Sequence, residues 1–274
     1  MLGKFYDLKI AREVDFGVYL ESEKGDILLP AKYVPEGVQV GDFVRVFVHR
    51  DSEDRLLATT LEPTGQLNDM VALEVSHTTP HGAYMNWGLE KDLFVPKSEQ
   101  PDTFREGEKR VVRICLDYKT DRLLGVGKIN AFFDKDTSVL KEDQEVSLLV
   151  YGKSDLGFNV VINGRYSGLL YENEVFEPLA IGDSKTGYIS KVRQDGKVDV
   201  RLQPVGVGAI DGNSQRIMSF LENNGGTMPL TDKSDPSEIY EALQMSKKAF
   251  KKALGGLYKE HRVILHETYT ELKG

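Results

Sequence analysis

Val14-Asp15-Phe16-Gly17-Val18-Tyr19-Leu20 is followed by Gly25-Asp26-Ile27-Leu28-Leu29-Pro30 and then by Val40-Gly41-Asp42-Phe43-Val44-Arg45-Val46-Phe47-Val48, and most of the remaining chain rewrites this stretch. A second copy runs Pro80-His81-Gly82-Ala83-Tyr84-Met85, Lys91-Asp92-Leu93-Phe94-Val95-Pro96 and Glu106-Gly107-Glu108-Lys109-Arg110-Val111. A third runs Asp155-Leu156-Gly157-Phe158-Asn159-Val160, Ser167-Gly168-Leu169-Leu170-Tyr171 and Ile181-Gly182-Asp183-Ser184-Lys185-Thr186-Gly187-Tyr188-Ile189. Two glycines mark each copy: Gly17 and Gly41 lie 24 residues apart, Gly82 and Gly107 lie 25 apart, and Gly157 and Gly182 lie 25 apart. From copy to copy the first glycine steps by 65 and 75 residues and the second by 66 and 75. Agreement between two independent markers indicates three tandem units. The period exceeds the roughly 20–50 residues of solenoid repeats, so each unit is expected to be a small domain with its own core.

Alternating runs set the fold class. Phe16, Val18 and Leu20 alternate with Gly17 and Tyr19, as a half-buried strand requires. Val44, Val46 and Val48 share one face, with Phe43, Arg45 and Phe47 on the other, and Arg55-Leu56-Leu57-Ala58-Thr59-Thr60 follows the turn at Asp51-Ser52-Glu53-Asp54. About five strands in residues 1–66 fit an OB barrel, a five-stranded Greek-key barrel.

The 274 residues suffice for two to four domains, and 40% hydrophobic with 28% charged residues is ordinary for a globular protein. No apolar run reaches membrane-spanning length, and Met1-Leu2-Gly3-Lys4-Phe5 shows no signal-peptide pattern. The single cysteine, Cys115, lies in the apolar run Val111–Leu116 and reads as a buried strand thiol. A cytoplasmic location is expected. The net charge of −8 argues against nonspecific coating of nucleic acid, although residues 211–274 are balanced, with nine cationic and nine acidic side chains.

The first unit resembles the S1-type RNA-binding domain on four features. These are Phe16-Gly17-Val18-Tyr19, Ile27-Leu28-Leu29, Gly41-Asp42-Phe43-Val44-Arg45-Val46, and Asp51 followed by Arg55-Leu56. The resemblance implies that Phe16 and Tyr19 stack on bases and that Arg55, with Asp51, contacts the strand. Pro30 stands where the family often has a histidine. In a regular strand Phe16 and Tyr19, three apart, point to opposite faces, so only a bulge at Gly17 would unite them; otherwise they are barrel residues.

In the second unit, residues 67–140, His81 takes the place of the first aromatic and Tyr84 that of the second. Asp117 and Arg122 take the Asp and Arg positions with a turn one residue longer. His77 and His81 flank a Thr-Thr-Pro turn with no cysteine or third histidine nearby, which argues against a metal site. Trp87 is either a plug at the barrel end or a stacking platform.

In the third unit, residues 141–210, Phe158 is the nearest aromatic, Tyr171 stands at the family histidine, and Arg193 and Lys197 take the Asp and Arg positions. Lys191, Arg193, Lys197 and Arg201 surround the hairpin signal Asp195-Gly196. On charge this is the barrel expected to contact RNA, the plain alternative being a solvated hairpin. Pro204-Val205-Gly206-Val207-Gly208 lacks the surrounding pattern of a dinucleotide fingerprint and reads as a linker.

From residue 211 the apolar period changes from two to 3.6. Asn213 opens one helix; Asp235-Pro236-Ser237-Glu238 caps a second; Ser246 caps a third. Phe250, Ala253, Leu254, Leu257 and Tyr258 form one face of the third helix, opposite Lys247, Lys248, Lys251, Lys252 and Lys259. A hairpin over 262–272 completes a winged helix, whose third helix is the usual reader of nucleic acid. Here too the bland reading is a solvated lysine face.

Three S1-like OB barrels followed by an α+β winged helix at 211–274 resemble the conserved virulence factor B family of bacterial RNA-binding regulators. The resemblance implies a mainly β, multidomain, non-catalytic protein that binds single-stranded RNA and acts on gene expression after transcription. The alternatives are a scaffold docking on ribosome or RNA polymerase and an accessory chain of a ribonuclease complex. The five histidines are scattered and no carboxylates have nuclease-like spacing, so no catalytic residue, cofactor, metal or small-molecule substrate is expected.

Overall fold

The computed structural model describes residues 1–51, 53–175, 178–202 and 212–273. Pro204–Gly208, read above as a linker, lies outside the described residues.

The first barrel is closed. Its strands are β1 (Phe5–Val14), β2 (Gly17–Leu20), β3 (Ile27–Pro30), β4 (Phe43–Arg50) and β5 (Leu56–Thr59), in the order β1-β2-β3-β5-β4. The middle unit repeats the order with β6 (Met70–Thr79), β7 (Gly82–Asn86), β8 (Leu93–Pro96), β9 (Lys109–Asp117) and β10 (Arg122–Val126). Its β8 and β10 are not joined by a ladder, so this unit is an open five-stranded sheet. They nonetheless touch: a Cβ added at Gly125 would lie 2.7 Å from the Val95 side chain. The third barrel closes again, with β11 (Glu145–Ser154), β12 (Gly157–Ile162), β13 (Tyr166–Tyr171), β14 (Ser184–Val192) and β15 (Val198–Arg201).

The repeated glycines have a steric reason. A Cβ at Gly17, Gly82 or Gly157 would lie 2.2 Å from the carbonyl oxygen of Leu29, Val95 or Leu170, where the third strand crosses. The second marker, at Gly41, Gly107 and Gly182, turns the chain at positive φ (102°, 78° and 96°) into the strand that follows.

The units are joined by apolar seams. Phe47 points out of the first barrel and is fully buried against Phe5 and Trp87, with ring centroids 5.2 and 5.8 Å away, inside the middle unit's core. Trp87 is therefore a plug, its indole N–H donating to the Lys91 carbonyl at 2.7 Å. Met70, Val111, Ile129 and Val161 form a second seam, between the middle sheet and the third barrel.

The C-terminal unit has α1 (Gly212–Asn223), β16 (Thr227–Met228), α2 (Pro236–Leu243), α3 (Lys247–Lys259), β17 (Val263–Leu265) and β18 (Thr270–Leu272). Two of the three expected caps form, while Asn213, expected to open α1, lies inside it. Asp235 and Glu238 make a reciprocal capping box, and Ser246 Oγ accepts from Ala249 N–H at 3.3 Å. The two-residue β16 pairs with β18 and makes the wing three-stranded, which the sequence did not suggest. Among the described residues no helix is long and apolar enough to cross a membrane.

Candidate nucleic-acid interface

Each unit carries the same irregularity in its first strand: the register shifts between Ile10 and Arg12, between Val75 and His77, and between Val150 and Gly152. The bulge sets the residue after it opposite the second strand: Arg12 opposite Tyr19, His77 opposite Tyr84, Gly152 opposite Asn159.

In the first barrel the Arg12 guanidinium lies 4.0 Å from the Tyr19 ring centroid. Phe16 sits in the turn before β2, 57% exposed, its ring centroid 6.4 Å from that of Tyr19. Phe16 and Tyr19 thus meet although three residues apart, because Phe16 lies outside the strand and Gly17 starts it. Arg55 is held at the rim by Asp51 and Glu53, 2.7 and 2.9 Å away.

In the middle sheet the ring partner of Tyr84 is His77, stacked at 4.4 Å and 7°, with Phe94 5.0 Å away on the next strand. His81, expected in place of the first aromatic, holds the same turn position as Phe16, just before Gly82, and is exposed. His77 was missed because it sits on the preceding strand, although it repeats the position of Arg12 at the 65-residue period. Arg122 is bound bidentately by Asp54 of the first barrel, both contacts at 2.7 Å, and these bonds hold the Asp54 carboxyl below the usual carboxylate range. Arg50 bonds Asp121 across the same joint.

The third barrel departs furthest from expectation. Phe158 is 8% exposed and belongs to the core, because Leu156 occupies the turn position that Phe16 holds in the first unit. Leu156 itself is 62% exposed. Phe158 is therefore corrected from a stacking residue to a packing one. Tyr171 takes the place of Pro30 and Pro96, opposite Gly157. Its hydroxyl accepts from Arg193, which also grips the buried Asp199 through two hydrogen bonds of 2.9 Å. Lys197 pairs with Asp195 of its own hairpin at 3.0 Å, and Arg201 pairs with Asp143 at 2.5 Å. Lys191 is exposed. The basic cluster read from the sequence is thus largely compensated.

On α3, Lys248, Lys251, Lys252 and Lys259 are exposed and Lys247 is partly so. Lys251 lies 3.7 Å from Asp232, and Lys247 reaches the Lys233 carbonyl at 3.5 Å. Gly255, between the two groups of lysines, has open space where a Cβ would be. On the wing His266 stacks on Tyr269 at 4.1 Å and meets Glu271 at 2.9 Å.

OB barrels with aromatic faces, closed by a winged helix with a lysine-bearing third helix, define a class of multidomain protein built from nucleic-acid-binding folds. Residues 2–61 match the S1 domain, and residues 215–272 match the CvfB-like winged helix domain. The chain is 29% identical over 279 residues to the uncharacterized protein YitL of Bacillus subtilis, covering 98% of this chain and 92% of that one. It is 25% identical over 235 residues to conserved virulence factor B of Staphylococcus saprophyticus, covering 83% and 79%. A crystal structure of a multidomain protein with nucleic acid binding domains from Streptococcus pneumoniae aligns over 99% of this chain and 98% of that one, at 25% identity and a TM-score of 0.47. The chain is thus similar to the conserved virulence factor B proteins, matching the S1 domain at its start and the CvfB-like winged helix domain at its end.

Proposed function

We propose that this is a non-catalytic, cytoplasmic protein that binds single-stranded RNA and regulates gene expression after transcription, through units at 1–66, 67–140, 141–210 and 211–274. The observation that carries the reading is the cluster of Arg12, Phe16 and Tyr19 on one face of the S1-matched barrel. Aromatic faces beside cations are what a flexible single strand needs, since each stacked base contributes about 1–3 kcal/mol whatever its sequence. The exposed lysines of α3 offer phosphate contacts, which position a strand without reading it.

The test is fluorescence anisotropy of labelled single-stranded RNA against the full chain at two salt concentrations. Affinity should fall steeply with salt. Phe16→Ala with Tyr19→Ala should weaken binding at both. Absence of binding at low salt would refute the reading, and metal-dependent RNA cleavage by the pure protein would refute its non-catalytic part.

One observation favours a second reading, that of a scaffold docking on ribosome or RNA polymerase. Arg55, Arg122, Arg193 and Lys197 are all paired with carboxylates, and the chain carries a net charge of −8. Such a scaffold would bind RNA weakly and with little salt dependence.

A further inference from the structure

The joint between the first barrel and the middle sheet encloses a cleft of about 760 Å³. This lies within the roughly 300–1,000 Å³ usual for sites that bury a small ligand or one residue of a polymer. Its floor belongs to the middle sheet: the His77–Tyr84 stack, Phe94 and the edge of Trp87. Its opposite wall belongs to the first barrel, with His49, Arg50, Asp51 and Asp54, so neither unit makes the cleft alone. The Asp54–Arg122 and Arg50–Asp121 bridges span the joint.

Most charged groups of the cleft are already matched. Asp51 holds Arg55, Asp54 holds Arg122, Glu90 holds Lys32, and Asp117 receives the Thr120 hydroxyl and the Lys119 N–H. Two are not. Asp92 has a side chain 25% exposed, and its one ionic neighbour among the described residues is His77 at 4.0 Å, beyond hydrogen-bonding distance. Lys91 is exposed and acts on Asp54 through its charge alone, with no ion-pair contact within 4.0 Å among the described residues. A carboxylate that only accepts, an ammonium that only donates and an aromatic floor thus meet in one cleft.

We propose that this cleft is a composite nucleotide pocket, taking one unstacked nucleotide of a single strand, and the proposal rests on the RNA-binding reading above. The base lies against the His77–Tyr84 stack. Asp92 accepts from an N–H on the base edge, and Lys91 faces the phosphate. Arg122 lines the pocket, but its charge is already matched by Asp54. A basic peptide would find the same floor and the same Asp92, but Lys91 and Arg50 at the rim oppose it.

Trp87 is the single tryptophan and lines the cleft, so its emission reports occupancy in the full-length protein. The experiment titrates the full chain with 12-mers of rA, rC and rU, following Trp87 emission together with the anisotropy of labelled 12-mers. The expected result is a saturable emission change over the same concentrations as the anisotropy change. Tyr84→Ala should weaken all three oligomers roughly 5- to 100-fold. Asp92→Asn, which turns one acceptor into a donor, should change their order of affinity. Lys91→Ala, an exposed change that leaves the fold intact, should weaken all three at low salt. RNA binding by anisotropy with unchanged Trp87 emission, and with variants that bind like the parent, would overturn the pocket and leave the general reading standing. No binding of any oligomer at low salt would remove both. A Trp87 response to an oligolysine peptide and not to RNA would assign the cleft to a basic protein segment and overturn the proposal.

Discussion

Gly82 leaves no room for a side chain: a Cβ there would stand 2.2 Å from the Val95 carbonyl oxygen and 2.8 Å from the Phe94 ring. Gly82→Ala should force β7 and β8 apart and cost about 2 kcal/mol or more in urea unfolding. Gly255→Ala, in the open on α3, should stabilise by up to about 1 kcal/mol through helix propensity alone, and equal effects in the two variants would contradict the steric account. The spacing of Gly82 and its counterparts Gly17 and Gly157 made the three units legible without any structure, because close strand crossing leaves a mark that composition cannot blur. Side-chain direction was less legible. Phe158 reads as an aromatic at the face, yet its place in the ladder, opposite Leu170 and one residue past Gly157, turns it inward. The contact of His77 with Tyr84 was not legible for the converse reason: a bulge that no local signal announces brings the two rings together. His49 adds a dependence on pH. Burial lowers its pKa below the ordinary value of 6.5, against the weaker opposing pull of the Arg50 carbonyl and Asp51. The folded state therefore resists a proton that the unfolded chain takes up below about 6.5. Stability from this group is complete above that pH and is lost as pH falls below it toward and through the lower folded-state pKa. The thermal midpoint should drop between pH 7.5 and 5.5, and His49→Gln should shrink that drop.

At the scale of elements, the β4–β5 hairpin does two things. It carries Arg55 to the rim of the first barrel's aromatic face, and through Asp54 it holds Arg122 of the next unit. Both charges of the second pair are about half exposed, so solvent screens the bridge and it contributes little to stability. Asp54→Ala should therefore leave the unfolding midpoint nearly unchanged while releasing a guanidinium into the cleft. RNA affinity at low salt should rise, and the dependence of log K on log salt should steepen by up to about one phosphate contact. An unchanged slope would show that Arg122 does not reach a phosphate even when free. Sequence alone could supply the hairpin, through its Asp and Arg positions, but not the bridge, because an ion pair between residues 68 apart leaves no local pattern. The helices of the C-terminal unit were readable to within a few residues, since caps are local chemistry: the Asp235–Glu238 box and Ser246 form as their side chains require. The two residues of β16 carried no signal, because so short a strand is defined by its partner β18 rather than by its own alternation.

Over the whole molecule, the three β units are not beads on a string. Phe47 leaves its own barrel to enter the middle unit's core, and Met70, Val111, Ile129 and Val161 join that unit to the third. The winged helix instead has a core of its own side chains, from Ile217 on α1 to Phe250 and Leu257 on α3 and Val263 on β17. Cooperativity follows shared buried surface, so residues 1–202 should unfold as one unit and the winged helix as another, giving two transitions in calorimetry. Phe47→Ala removes the ring that joins the first barrel to the second. The local cost should be about 3–5 kcal/mol, as for a fully buried aromatic. Because Phe47 points out of its own barrel, that loss falls on the joint and spares the interior formed by Ile10, Leu20, Leu29 and Val46. The first barrel should then melt as a separate, earlier transition while the winged-helix transition stays in place. The same substitution should blunt any response of Trp87 to RNA, since the ring 5.8 Å from that indole also fixes the wall of the cleft. A Phe47→Ala protein that still melts in two transitions, with the larger one merely shifted down, would mean that the ion pairs and backbone hydrogen bonds across the joint, such as Leu67 N–H to the Gly3 carbonyl, couple the barrels without the aromatic seam.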